Sequence, residues 1–84
     1  MKTFDYLIKE RIIHARPAGL LVKEAGCFKS SIILAKGEKS ADAKKIFGIM
    51  GLGVKRGDRV TLNIDGEDEE EAAVRLEELM KANW

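Results

Sequence analysis

Cysteine, histidine, proline and tryptophan each occur once in the 84 residues. Cys27 alone cannot form an internal disulfide, which points to a reducing, cytoplasmic setting. It is expected as a small packing residue. One Cys and one His cannot assemble a metal-ligand cluster, so no metal and no cofactor is expected. No apolar run is long enough to span a bilayer. Met1 to Asp5 holds no apolar signal core, so neither membrane insertion nor secretion is expected. A Gly-rich nucleotide loop of the GxxxxGK[ST] kind is also missing, as is a clear carboxylate pair for magnesium. These absences point to a carrier rather than a complete phosphoryl-transfer enzyme.

What is present is an ordinary globular composition, with 45% hydrophobic residues. The length suits a single domain over 1–84, with no linker or repeat. The net charge of +1 conceals an asymmetry. Residues 1–59 hold 13 Lys/Arg against 6 Asp/Glu, a balance of +7; residues 60–84 hold 2 against 8, a balance of −6. The acidic end would repel phosphates, so no nucleic-acid partner is expected, although a local basic face remains.

Phe4, Tyr6 and Ile8 alternate with other residues and predict a first strand. Residues 11–16 follow neither period and predict a connecting loop. Pro17 suits the first turn of a helix, where its missing N–H costs nothing. Ala18, Leu21, Val22, Ala25 and Phe28 then form an apolar stripe. Ser31 to Ala35 predicts a strand, Lys36 to Lys39 a turn and Ser40 to Asp42 a short returning arm. Residues 43–52 predict a short helix broken by glycines. Val60, Leu62 and Ile64 alternate as a half-buried strand. Asp68 and Glu71 have the spacing of a capping box, with Glu69 to Glu71 in the first turn and Lys81 near the other end. Ala72, Ala73, Leu76, Leu79 and Met80 form that helix's buried stripe, which ends at polar Asn83. The order βαββαβα with alternating strands favours an α+β fold, an antiparallel sheet with helices on one side.

The only histidine lies in His14-Ala15-Arg16-Pro17, directly before a helix start. A helix N-terminus offers unpaired N–H groups and a positive dipole end, which suit an anion. Arg16 adds a fixed charge with a fork of donors matched to phosphate oxygens. The same positive field disfavours the imidazolium, leaving a lone pair for attack on a phosphoryl group. His14 is therefore a candidate phosphoryl acceptor and Arg16 a candidate stabiliser. With no donor site of its own, the chain would receive and deliver that group through other proteins.

A protein-facing surface is also expected. Arg16, Gly19, Leu20 and Lys23 share the helix face opposite the core stripe, with Gly19 permitting close approach. Ile46, Phe47, Ile49 and Met50 are too many apolar residues for the inner side of so short a helix, so some are exposed. Ala15, Pro17, Lys45, Ile46, Phe47 and Met50 complete the candidate partner surface. Lys44 is expected beside His14 with Arg16, Lys23 and Lys45, forming a basic docking face.

Three blocks resemble the HPr family, the histidine-containing phosphocarriers of the phosphoenolpyruvate-dependent sugar phosphotransferase system. They are Ile13-His14-Ala15-Arg16-Pro17-Ala18, the glycine-punctuated segment Ala43 to Gly53, and Gly57-Asp58 through Gly66 to Ala72. The resemblance covers essentially the whole chain. It implies an open-faced β-sandwich, four antiparallel strands covered on one face by three helices. It also implies phosphorylation of His14 at Nδ1 by enzyme I and delivery to an enzyme IIA domain, by a monomer. Arg16 and N–H groups at the helix start would steady the phosphoryl group.

The chain departs from the family pattern at three positions. Ile12 stands where the family usually has Gly, and a β-branched residue resists positive φ. Lys45 stands where many members carry a regulatory serine, so the chain lacks that phosphorylation site and gains a charge there. Gly51 replaces the usual Ser or Thr near the end of the second helix, which loosens it. The first two motivate an alternative, an HPr-like regulatory or binding module that docks without passing phosphate onward. A carrier in a nitrogen-related phosphotransfer branch is a further alternative.

Overall fold

The computed structural model describes residues 1–9 and 15–84, the first three residues of the first helix by their backbone alone. The elements are β1 (Lys2–Leu7), α1 (Ala15–Ala25), β2 (Ser31–Lys36), β3 (Lys39–Asp42), α2 (Ile46–Gly51), β4 (Arg59–Asp65) and α3 (Glu69–Asn83). The strands form one antiparallel sheet in the order β1-β4-β2-β3. Strand β4 thus runs up the middle, paired with β1 on one side and β2 on the other.

Alternation fixes which face of the sheet is covered. Val60, Leu62 and Ile64 of β4, Ile32 and Leu34 of β2, and Tyr6 of β1 are all buried. They meet Ala18, Leu21 and Ala25 of α1 and Ala72, Leu76 and Met80 of α3 in one core. Full burial of each large aliphatic chain contributes roughly 1.5–3 kcal/mol. The intervening residues line the open face, where Thr3 donates to Asn63 Oδ1 across 3.1 Å and Thr61 donates to Asp5 Oδ1 across 2.6 Å. The expected antiparallel open-faced architecture is therefore present, and it rests on the period-two strands.

Several local expectations are corrected. The first helix starts at Ala15 rather than Pro17 and ends at Ala25, with Phe28 in the turn beyond it. Arg16 therefore lies inside the first turn of α1 rather than in the preceding loop. Cys27 is exposed rather than packed, its thiol directed at the Lys23 carbonyl. The second helix starts at Ile46, not residue 43, because Asp42 claims the intervening amides: its Oδ1 accepts from Lys44 N and its carbonyl from Lys45 N.

The expected capping box is also absent. Asp68 makes no side-chain cap to α3. Its carboxylate instead reaches across the molecule to Lys29 N at 2.8 Å, Ser30 N at 3.0 Å and the Ser30 hydroxyl. Glu69, one residue on, accepts from Gly66 N at 3.2 Å. Gly66 is required by the close approach this creates, since a Cβ there would lie 2.6 Å from Ser30 Cα. Asp68 is thus the clasp between the start of α3 and the start of β2.

The Ser30 hydroxyl, then the Lys29 amide, hold the Asp68 carboxyl below its ordinary value of 3.8. A lowered folded-state pKa contributes stability that is complete above the ordinary value and lost as pH falls through the folded one. Asp68→Ala strands the Ser30 donors, and its melting temperature at pH 7 is expected to fall by about 5–10 °C. The gap from wild type should narrow below about pH 4, where the wild-type carboxylate itself becomes protonated. Circular-dichroism melts at neutral and acidic pH check both statements; a gap independent of pH removes Asp68 ionisation as the cause.

Candidate functional site

His14 and the loop position Ile12 fall outside the described residues, as do the side chains of Ala15, Arg16 and Pro17. The structure does place the helix itself. Backbone helix begins at Ala15, immediately after His14, and Arg16 and Pro17 lie in its first turn. The first turn contains no acidic residue. The helix N-terminus therefore keeps the positive end of its dipole without a built-in counter-charge on its own first turn.

The chain entering that segment is held at its base. Ile8 N donates to Asp58 O at 2.9 Å, and Ile8 O accepts from Gly57 N at 3.1 Å. Lys9 N donates to Trp84 O at 2.9 Å, and Lys9 O accepts from Arg56 Nε at 3.2 Å. Every backbone polar group of Ile8 and Lys9 is thus bonded, by the 55–58 turn on one side and the end of α3 on the other. None of these partners is close to Ile8 in sequence, so no local pattern announces them.

The candidate partner surface divides between exposed and buried positions. On α1, Leu20 is exposed, as is Lys23, while Gly19 is half-buried. On α2, Phe47 is 85% and Met50 43% exposed, whereas Ile49 is buried and Ile46 packs against the core. The expected surplus of apolar residues on this helix is therefore present, carried by Phe47 and Met50. Lys45, Ile46 and Phe47 share an open groove of about 910 Å³ with Val22 of α1 and Ala41 of β3.

Lys45 is the N-cap residue of α2, exposed, in an extended conformation and without a capping hydrogen bond. A cation at a helix N-terminus opposes the dipole and leaves the first amides uncapped. Lys44 corrects the expected basic cluster. Its ammonium donates to the Phe28 carbonyl at 2.8 Å, beyond the C-terminal end of α1. It lies at the opposite end of that helix from its start, about 16 Å of helix away. The basic positions that remain candidates beside the α1 surface are Arg16, Lys23 and Lys45.

Among the described residues no group of His, Cys, Asp and Glu could hold a metal ion. No helix among them is long and apolar enough to cross a membrane.

Comparison with known proteins extends the reading across the chain. The family model described as "PTS HPr component phosphorylation site" matches residues 7–82. The phosphocarrier protein HPr of Lysinibacillus sphaericus is 43% identical over 81 residues, covering 95% of this chain and 92% of that protein. The HPr-like protein Crh of Bacillus subtilis is 48% identical over 64 residues, covering 76% of this chain and 75% of that protein. The crystal structure of HPr-C-His from Thermoanaerobacter tengcongensis superposes with a TM-score of 0.93 at 44% identity, covering 99% of this chain and 94% of that one. With the helix start after His14, the open-faced sheet and matches along nearly its full length, the chain belongs to the HPr family of phosphotransferase-system phosphocarriers.

Proposed function

We propose that His14 is the phosphoryl acceptor, loaded by enzyme I from phosphoenolpyruvate and unloaded onto an enzyme IIA domain. The observation that carries this reading is the start of α1 at Ala15, which sets the unpaired N–H groups of a helix N-terminus directly after His14. In the transfer, the Nδ1 lone pair attacks phosphorus, and the bond from phosphorus to its donor breaks as the new P–N bond forms. The reverse exchange delivers the group to the next protein. Arg16 and the first amides of α1 bind the phosphoryl oxygens as charge passes through the transition state.

Docking falls to the exposed apolar residues Leu20, Phe47 and Met50, flanked by Lys23 and Lys45. Exposed aromatic and Met side chains supply contact area, and the lysines suit acidic partner surfaces. Gly19 allows close approach, Ile46 packs against the core and lines the groove with Phe47, and Ala15 and Pro17 follow the acceptor along the chain. Because Lys45 has no hydroxyl, a serine kinase acting at the start of α2 finds no substrate there. The protein works in this reading as a monomeric single domain.

The deciding experiment incubates the protein with enzyme I and phosphoenolpyruvate. Stoichiometric phosphate that is acid-labile, alkali-stable and mapped to His14 is expected; its absence overturns the assignment. Arg16→Ala removes a charge-assisted contact and is expected to slow transfer roughly ten- to a hundred-fold. Its melting temperature should stay within a few degrees of wild type, because surface changes typically alter stability by less than about 0.5 kcal/mol. Rapid-quench transfer rates beside thermal melts check this; a large loss of stability instead makes Arg16 structural.

A further inference from the structure

The second helix carries Phe47 and Met50 but has little to hold it in place. It has six residues, two of them glycine, and no side-chain cap at its N-terminal end. A helix this short is far below the length at which propensity alone sustains it. Burial of Ile49 and Leu52 anchors its inner side. Its C-terminal end is fixed differently, by one ammonium group.

Lys36, the last residue of β2, donates to Leu52 O at 3.4 Å and Gly53 O at 3.0 Å, and lies 3.0 Å from Asp58 Oδ2. Three ammonium protons meet three acceptors. Two are carbonyls at the end of α2, where the helix dipole favours a cation. Gly53, at φ 64°, turns the chain out of the helix there and aims its carbonyl at Lys36. The third acceptor, Asp58, also accepts from Lys55 N at 3.0 Å, which closes the 55–58 turn. That turn is the one holding Ile8 and Lys9 at the entrance to the His14 segment.

We infer that Lys36 is a positioning residue for partner docking: bridging the end of α2 to the Asp58 turn, it fixes the helix that presents Phe47 and Met50. Both side chains of the bridge are largely covered, at 28% and 21% exposure, so solvent screens the pair only in part. The flexible lysine stem spans from sheet to helix, and among the described residues it makes the side-chain hydrogen bonds to the carbonyls at the end of α2. Without it, the last turn of α2 is free to fray and its outward residues shift relative to the His14 segment. The effect falls on recognition rather than on chemistry, because the Lys36 ammonium is engaged by the end of α2 and the Asp58 turn.

The inference rests on the phosphocarrier reading above, and its test separates the two. Enzyme I-catalysed phosphorylation is measured for wild type, Lys36→Met, Lys36→Arg and Asp68→Ala, each well below its melting temperature. Lys36→Met is expected to raise KM for the carrier roughly ten-fold, with kcat within about two-fold. Lys36→Arg, keeping a cation with several donors, should recover most of the loss. Asp68→Ala, destabilised at a clasp remote from α2, should leave KM unchanged. Amide hydrogen exchange at Leu52 and Gly53 should quicken in Lys36→Met and not in Asp68→Ala. An unchanged KM in folded Lys36→Met overturns the inference, as does an equal rise in Asp68→Ala. Should Lys36→Met not fold, Asp58→Asn replaces it: a KM rise of a few-fold supports the bridge, and none overturns it. A wild-type protein that takes no phosphate defeats the functional reading instead.

Discussion

His14→Ala is expected to take up no acid-labile phosphate from enzyme I and phosphoenolpyruvate. The expectation is strong because His14 is the chain's only imidazole. Phosphohistidine hydrolyses in acid and survives in alkali, whereas esters of Ser and Thr survive acid, so the chemical class of any residual label is readable. No second imidazole can substitute, and the sequence holds no GxxxxGK[ST] nucleotide loop. Loss should therefore exceed about a thousand-fold, the scale on which removal of a covalent nucleophile acts. Label persisting at wild-type level would place the acceptor elsewhere and with it the whole transfer scheme. Melting curves recorded alongside separate loss of chemistry from loss of fold.

Trp84→Ala is expected to be the most destabilising single truncation. Trp84 follows α3 directly, is 2% exposed and joins the core cluster. Truncating a buried Trp removes about 3–5 kcal/mol through lost transfer energy and an unfilled cavity. A domain of 84 residues has a total stability on the order of 4–13 kcal/mol, so the variant loses a large share of it. The melting temperature should drop on the order of 20 °C. Trp84→Phe, which refills most of the space, should recover more than half. A change below about 0.5 kcal/mol in chemical denaturation would assign Trp84 to the surface class instead. Function should suffer beyond stability, because the buried indole anchors the main-chain carbonyl that receives the Lys9 amide at the entrance to the His14 segment, and Ala keeps that carbonyl without its anchor.

These two residues mark how far the sequence could be read. His14 stands out because its type, its uniqueness and the following helix start converge within four residues. The sheet was equally open to reading: Val60, Leu62 and Ile64 alternate, and all three are buried beneath α1 and α3. The apolar excess of α2 announced exposed Phe47 and Met50. Trp84 was not legible, since a single aromatic after a polar Asn83 carries no period. Asp68 misled, because Asp followed three residues later by Glu is a local capping signal, while its carboxylate answers donors 38 and 39 residues away. Lys36 looked like a turn residue for the same reason, its partners lying 16–22 positions further on. Lys44 was misplaced because charge alone cannot say which end of α1 a flexible side chain serves. Periodic burial shows in sequence; pairing between distant polar groups does not.

The single exposed thiol has a practical consequence. Cys27 lies just beyond the C-terminal end of α1, while His14 precedes its start. A maleimide dye or nitroxide placed on Cys27 would label one site in an unmodified wild-type chain, with no cysteine to remove first. Helix α1, about 16 Å long, separates the label from the first turn at Ala15 and leaves it within range of resonance energy transfer to a bound partner. The protein thus carries its own attachment point for following each docking and release in real time.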